Sequence, residues 1–131
     1  MDSQIVHAKI GREKYKTEIV VGDHQLVADE SLEVGGQNSG PSPGDFLRMS
    51  LATCTAITLR MYADRKQWDV EDIEVAVTSS TENRVTKFAC TIKVKGNIDD
   101  TQRERLKQIA DACPLHKTLL NPMEIETTIA R

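Results

Sequence analysis

Apolar and polar residues alternate in three short runs at the start of the chain, QIVHAKI, KTEIVVG and HQLVADE, a period of two that predicts β-strands. Gly11 to Lys14 and Gly22-Asp23 separate them. Gly-Asp supplies the positive φ angles of a two-residue turn, so the pattern predicts an antiparallel meander over residues 1–34. GGQNSGPSPG, residues 35–44, resists regular structure and is expected to be a loop within the domain. From Asp45 to Lys66 the period lengthens to that of a helix, with Leu47, Leu51, Cys54, Thr58 and Met61 recurring every three or four positions and Cys54 on the stripe expected to face inward.

Alternation returns in Asp72 to Thr78, through Ile73, Val75 and Val77, and again in Phe88, Cys90, Ile92 and Val94. Both are expected to be half-buried strands, with SSTENR as a hairpin loop longer than the tightest turns. Thr101-Gln-Arg-Glu104 has capping-box spacing and predicts a helix start, with Leu106, Ile109, Ala110 and Cys113 on its apolar face. Pro114 cannot continue that helix but suits the first position of a new one, so a short helix from Pro114 to Leu120 is expected, with Cys113 at its N-cap. Met123, Ile125, Thr127 and Ile129 alternate after Asn121-Pro122 and predict a final strand. The order β-β-β-α-β-β-α-β, joined by hairpin-length connections, argues an α+β fold with largely antiparallel strands.

At 131 residues the chain has room for one domain, and burying more surface against a second subunit is an attractive addition at this size. Twenty acidic against 17 basic residues, the latter scattered, make nucleic acid an unexpected partner. No apolar run approaches the roughly 18 residues of a membrane span or forms a signal peptide, so no membrane partner is expected and the expected location is cytoplasmic. Three cysteines are an odd number for a structural disulfide framework, and reduced thiols are the default.

Cys90 shares a strand face with Phe88, Ile92 and Val94 and is expected to fill the core. Cys113 stands where the amides of a new helix would point at its sulfur and lower its thiol pKa, although it also completes the Leu106, Ile109, Ala110 face. Cys54, in the middle of a helix on its apolar stripe, reads by itself as core more often than as a nucleophile, since burial favours its neutral thiol unless a cation offsets it. Cys113-Pro-Leu-His116, with His7 and His24 elsewhere, falls short of a zinc pattern, so no metal and no cofactor are expected.

The stretch GPSPGDFLRMSLATCTAIT, residues 40–58, strongly resembles the pattern of the OsmC/Ohr family, in which a Pro-rich loop leads into a central helix carrying a peroxidatic cysteine. Cys113-Pro114 resembles the family's second motif, and the likeness spans nearly the whole chain as a single OsmC-like domain, residues 1–131, with the central helix and C-terminal α+β part over 45–131. The resemblance implies an intertwined homodimer with a central helix from each subunit in a shared core. It also implies a thiol-dependent peroxidase for organic hydroperoxides. In that chemistry Cys54 becomes a sulfenic acid, Cys113 condenses with it to a disulfide, and an external dithiol reductant restores both. Arg12, in the turn between the first two strands, best matches the arginine that activates the family's cysteine. The glutamate that orients this arginine in the Ohr branch is replaced here by Gly44. Asp45 could supply the carboxylate one residue later, or simply cap the helix. An alternative implied by that replacement is an OsmC-like protein acting as a small-ligand-binding or redox-sensing module.

Overall fold

A computed structural model describes residues 4–131. The chain divides into two compact units, Met1–Leu47 and Arg48–Arg131. In the first, β1 (Val6–Ile10), β2 (Thr17–Val21) and β3 (His24–Ala28) form the expected antiparallel meander in the order β1-β2-β3. Gly22 takes φ +57° at the β2–β3 turn, the left-handed region that glycine enters without a Cβ clash.

Asp29, at the end of β3, organises the loop that follows. Its carboxylate accepts from the backbone amides of Tyr15, Glu30, Gln37 and Ser39 and from the Ser39 hydroxyl at 2.6 Å. Only 2% exposed, it is held well below the usual carboxylate range, first by the Ser39 hydroxyl and then, against the cost of burial, by the surrounding amides. The Gly-rich segment is therefore an ordered loop around a buried anion, with a 3-10 turn at Leu32–Val34.

The long helix α1 runs Pro43–Lys66, starting two residues before the expected Asp45. Pro43 fits the first helical turn, and the box that caps it is built by Ser42 and Asp45. The Ser42 amide donates to Asp45 Oδ2 at 3.0 Å and the Asp45 amide donates to Ser42 Oγ at 3.2 Å.

In the second unit β4 (Asp69–Glu82) and β5 (Val85–Asn97) form an antiparallel pair, longer than the alternation alone marks. The expected loop over residues 79–84 shrinks to a two-residue turn, because Asn83 and Arg84 both take positive φ, 53° and 65°, the geometry that matches strand twist in a tight hairpin. The second helix, α2 (Asp100–Ala110), starts earlier than Thr101-Gln-Arg-Glu104 implied. Asp99 is the cap, and it and Gln102 satisfy each other's backbone amides at 2.8 Å. The short helix α3 (Pro114–Leu120) begins at Pro114 with Cys113 as its N-cap, as the sequence predicts.

The core of this unit is Leu59, Leu106 and Ala110, packed by Tyr62, Trp68, Ile73, Ile92, Val94 and Ile109. Three expectations fail here. The buried stripe of α1 is Leu51, Thr55, Leu59 and Ala63, at spacings of four, whereas Leu47 and Met61 are 47% and 59% exposed, since one chain covers one side of the helix. Cys90 is exposed rather than core, because only the half-buried Ile92 and Val94 end of its strand face joins the cluster with α2. Residues 121–131 form no strand. A strand needs a ladder partner, and the alternating Met123, Ile125 and Ile129 stay exposed.

Candidate functional site

Two helices of the second unit bring the two sulfurs together. On α1, Cys54 lies next to the buried position Thr55, so its half-buried side chain borders the packed side of the helix. Cys113 follows a tight turn at the end of α2, where the Ala112 amide bonds to the Ile109 carbonyl and the Cys113 amide to Ala110. Pro114 then starts α3 and aims that helix's first amides back at the sulfur. The Cys54 and Cys113 Sγ atoms are 2.7 Å apart, across 59 residues of sequence, and both thiols are free. A disulfide bond is about 2.05 Å long, so the two sulfurs are placed within disulfide-forming reach of each other.

The surroundings treat the two thiols differently. Burial pushes the Cys54 thiol up, and the neighbouring Cys113 adds to that, with partial relief from the Leu115 amide and the Thr58 hydroxyl. Burial also opposes ionisation of Cys113. There, however, the hydrogen bond with Cys54, the amides of His116 and Leu115 and the Thr55 hydroxyl outweigh it, and the thiol is lowered. Sulfur positions alone give no direction to the bond between them. The amides around Cys113 favour its thiolate, whereas burial favours the neutral thiol of Cys54. The lowered thiol at Cys113 is the effect expected of a cysteine at a helix start.

The other candidate residues fall elsewhere. Arg12 is exposed in the turn between β1 and β2, in the first unit. Asp45 has the helix-capping role, with Oδ2 taken by the Ser42 amide. Gly44 lies in the first turn of α1. Asp29 was not singled out from the sequence, although an Asp at a strand end followed by a Gly- and Ser-rich loop is a recognisable setting for side-chain-to-backbone bonding. Among the described residues no group of three or more His, Cys, Asp or Glu side chains is placed to hold a metal ion, and no helix is long and apolar enough to cross a membrane.

An α+β chain with two antiparallel sheets, a long helix and two neighbouring thiols has the fold of OsmC-like proteins. Residues 36–128, well over half of the chain, match the family model described as OsmC-like protein, and the chain belongs to that family. Among solved structures it is similar to an OsmC-like protein of Mycoplasma pneumoniae (TM-score 0.76, 17% identity, covering 90% of this chain and 87% of the other). It is also similar to an organic hydroperoxide resistance protein OsmC of Legionella pneumophila (0.69, 20%, 92% and 90%). A third is the organic hydroperoxide resistance protein OhrB of Bacillus subtilis (0.62, 20%, 91% and 91%). At these identities the likeness carries the fold alone. No curated protein matches the chain.

Proposed function

We propose that this protein is a cytoplasmic thiol-dependent peroxidase that reduces organic hydroperoxides, with residues 1–131 acting as one OsmC-like domain in a homodimer. The observation that carries this reading is the 2.7 Å approach of the Cys54 and Cys113 sulfurs in a chain of the OsmC-like family. Two of the structures it resembles are named for organic hydroperoxide resistance.

The chemistry runs in three balanced steps. The Cys54 thiolate attacks the terminal peroxide oxygen and the O–O bond breaks. Sulfur gains the oxygen as a sulfenic acid, and the alkoxide leaves to take a proton as the alcohol. The Cys113 sulfur then attacks the sulfenic sulfur, forming the Cys54–Cys113 disulfide and releasing water. An external dithiol restores both thiols by exchange and is itself oxidised to a disulfide. Having the second thiol at contact distance protects the sulfenic acid from further oxidation.

Attack requires Cys54 to lose its proton, and its own surroundings oppose that. The reading therefore assigns Arg12 the role of the cation that offsets burial, and Asp45 that of the carboxylate orienting it. The homodimer is supported by α1, whose Leu47, Ile57 and Met61 leave an apolar stripe facing solvent in the single chain. An apolar setting near Cys54 also favours hydroperoxides with hydrocarbon tails over hydrogen peroxide.

The raised Cys54 thiol and the glycine at position 44 favour a second reading, in which the fold serves as a small-ligand-binding or redox-sensing module. One experiment separates the two. With a dithiol reductant, the wild type is expected to consume cumene hydroperoxide catalytically and Cys54→Ser to lose that turnover. A wild type that turns over no hydroperoxide with any dithiol, yet binds a small apolar molecule, would establish the second reading instead.

A further inference from the structure

Five hydrogen bonds converge on the buried carboxylate of Asp29, and they come from both sides of it in the first unit. Oδ1 accepts from the Tyr15 amide at 3.0 Å, in the β1–β2 turn that carries Arg12, and from the Glu30 amide at 2.7 Å. Oδ2 accepts from the Ser39 hydroxyl at 2.6 Å and from the Ser39 and Gln37 amides at 3.1 Å and 3.3 Å, in the loop that leads to Asp45. The backbone is tied the same way, since the Asp29 amide donates to the Pro41 carbonyl at 3.0 Å, just before α1 begins.

Both segments are shaped to this one group. Gly36 is buried, and a Cβ there would stand 2.7 Å from Asp29 Oδ1, so glycine is what lets the loop close on the carboxylate. The Tyr15 ring lies along the same loop, 3.5 Å from where a Gly35 Cβ would be. Burying a carboxylate is costly unless its lone pairs are filled, and here turn and loop fill them jointly. Neither segment can shift without leaving the anion short of donors, so the position of one depends on that of the other.

We propose that Asp29 is a positioning residue for the thiol chemistry, fixing the Arg12 turn against the loop that delivers Asp45 and so holding the cation and the carboxylate that serve Cys54 in register. It touches neither sulfur nor substrate. The inference rests on the roles assigned to Arg12 and Asp45 in the peroxidase reading. The carboxylate matters for its symmetry as well as its charge. An asparagine has one acceptor and one donor group, so whichever way its amide turns, either the Tyr15 and Glu30 amides or the Ser39 and Gln37 amides meet a second donor.

The test follows Cys54 thiolate absorbance against pH in a Cys90→Ser, Cys113→Ser background, where Arg12→Ala defines the full effect of the cation. Asp29→Asn should move the Cys54 titration to higher pH by roughly half of that effect or more, and should add nothing once Arg12 is replaced by alanine. Ser39→Ala should act in the same direction and Ser39→Thr, which keeps the hydroxyl, should not. This second pair carries the test if Asp29→Asn does not fold. A purely structural side chain would lower the denaturant midpoint and leave the Cys54 titration in place. That result, with Arg12→Ala effective, would overturn the proposal and leave Arg12 in its role, as would shifts of equal size with and without Arg12. An Arg12→Ala without effect would remove the arginine from the mechanism and this inference with it.

Discussion

Burial disfavours a thiolate at Cys54, whereas at Cys113 the hydrogen bond with Cys54 and the His116 and Leu115 amides outweigh the same burial. This partition makes the proposed role of Arg12 testable by thiolate absorbance in a Cys90→Ser background. With Cys54→Ser added, the remaining Cys113 should ionise below an ordinary thiol, and Arg12→Ala should leave that titration in place. With Cys113→Ser added instead, Arg12→Ala should move the Cys54 titration to higher pH, since removing a cation disfavours the anion. A Cys54 titration indifferent to Arg12→Ala would remove the arginine from the mechanism. Only part of this was legible from the chain. The Cys113-Pro114 step announces amides pointing at a sulfur through local geometry alone, whereas the raised thiol of Cys54 depends on tertiary burial and on Cys113, 59 positions away. Cys90 misled for a related reason. Strand alternation tells which residues share a face, and it does not tell how far along the strand the covering helix extends.

Among the elements, the β4–β5 hairpin shows how backbone conformation can overrule composition. SSTENR contains no glycine and reads as a loose loop, yet Asn83 and Arg84 both adopt left-handed φ so that the ladder continues to Glu82 and Val85. Asparagine tolerates that region through local hydrogen bonding, and arginine does not, at a cost of about 1–2 kcal/mol for an ordinary L-residue. Replacing Arg84 with glycine should therefore raise the stability of the protein by roughly 1 kcal/mol, after the greater flexibility of glycine in the unfolded chain is subtracted. Denaturant unfolding measures this, and an unchanged or lower midpoint would count against the turn geometry. The three N-terminal strands, the α2–α3 junction and the identity of the long helix could all be read from local signals. The starts of α1 and α2 were each misplaced by one or two residues. In both, a capping residue upstream of the apolar period, Ser42 or Asp99, outcompeted the candidate.

For the whole molecule, the misread stripe of α1 and the missing last strand have one cause. Sequence periodicity records every surface that evolution keeps apolar, and a single chain buries only some of them. Leu47, Ile57 and Met61 on α1, and Met123, Ile125 and Ile129 in the tail, are apolar positions that one chain leaves in water. Both are surfaces that the proposed homodimer would cover. The 2.7 Å sulfur pair lies within one chain, and the proposed redox cycle is intramolecular at its disulfide step. The most direct test treats the reduced protein with one equivalent of cumene hydroperoxide and maps its peptides by mass spectrometry. The account predicts the loss of two hydrogens per chain, with Cys54 joined to Cys113 of the same chain and Cys90 still free. Cys54 accumulating as a sulfinic acid beside an unmodified Cys113 would contradict it.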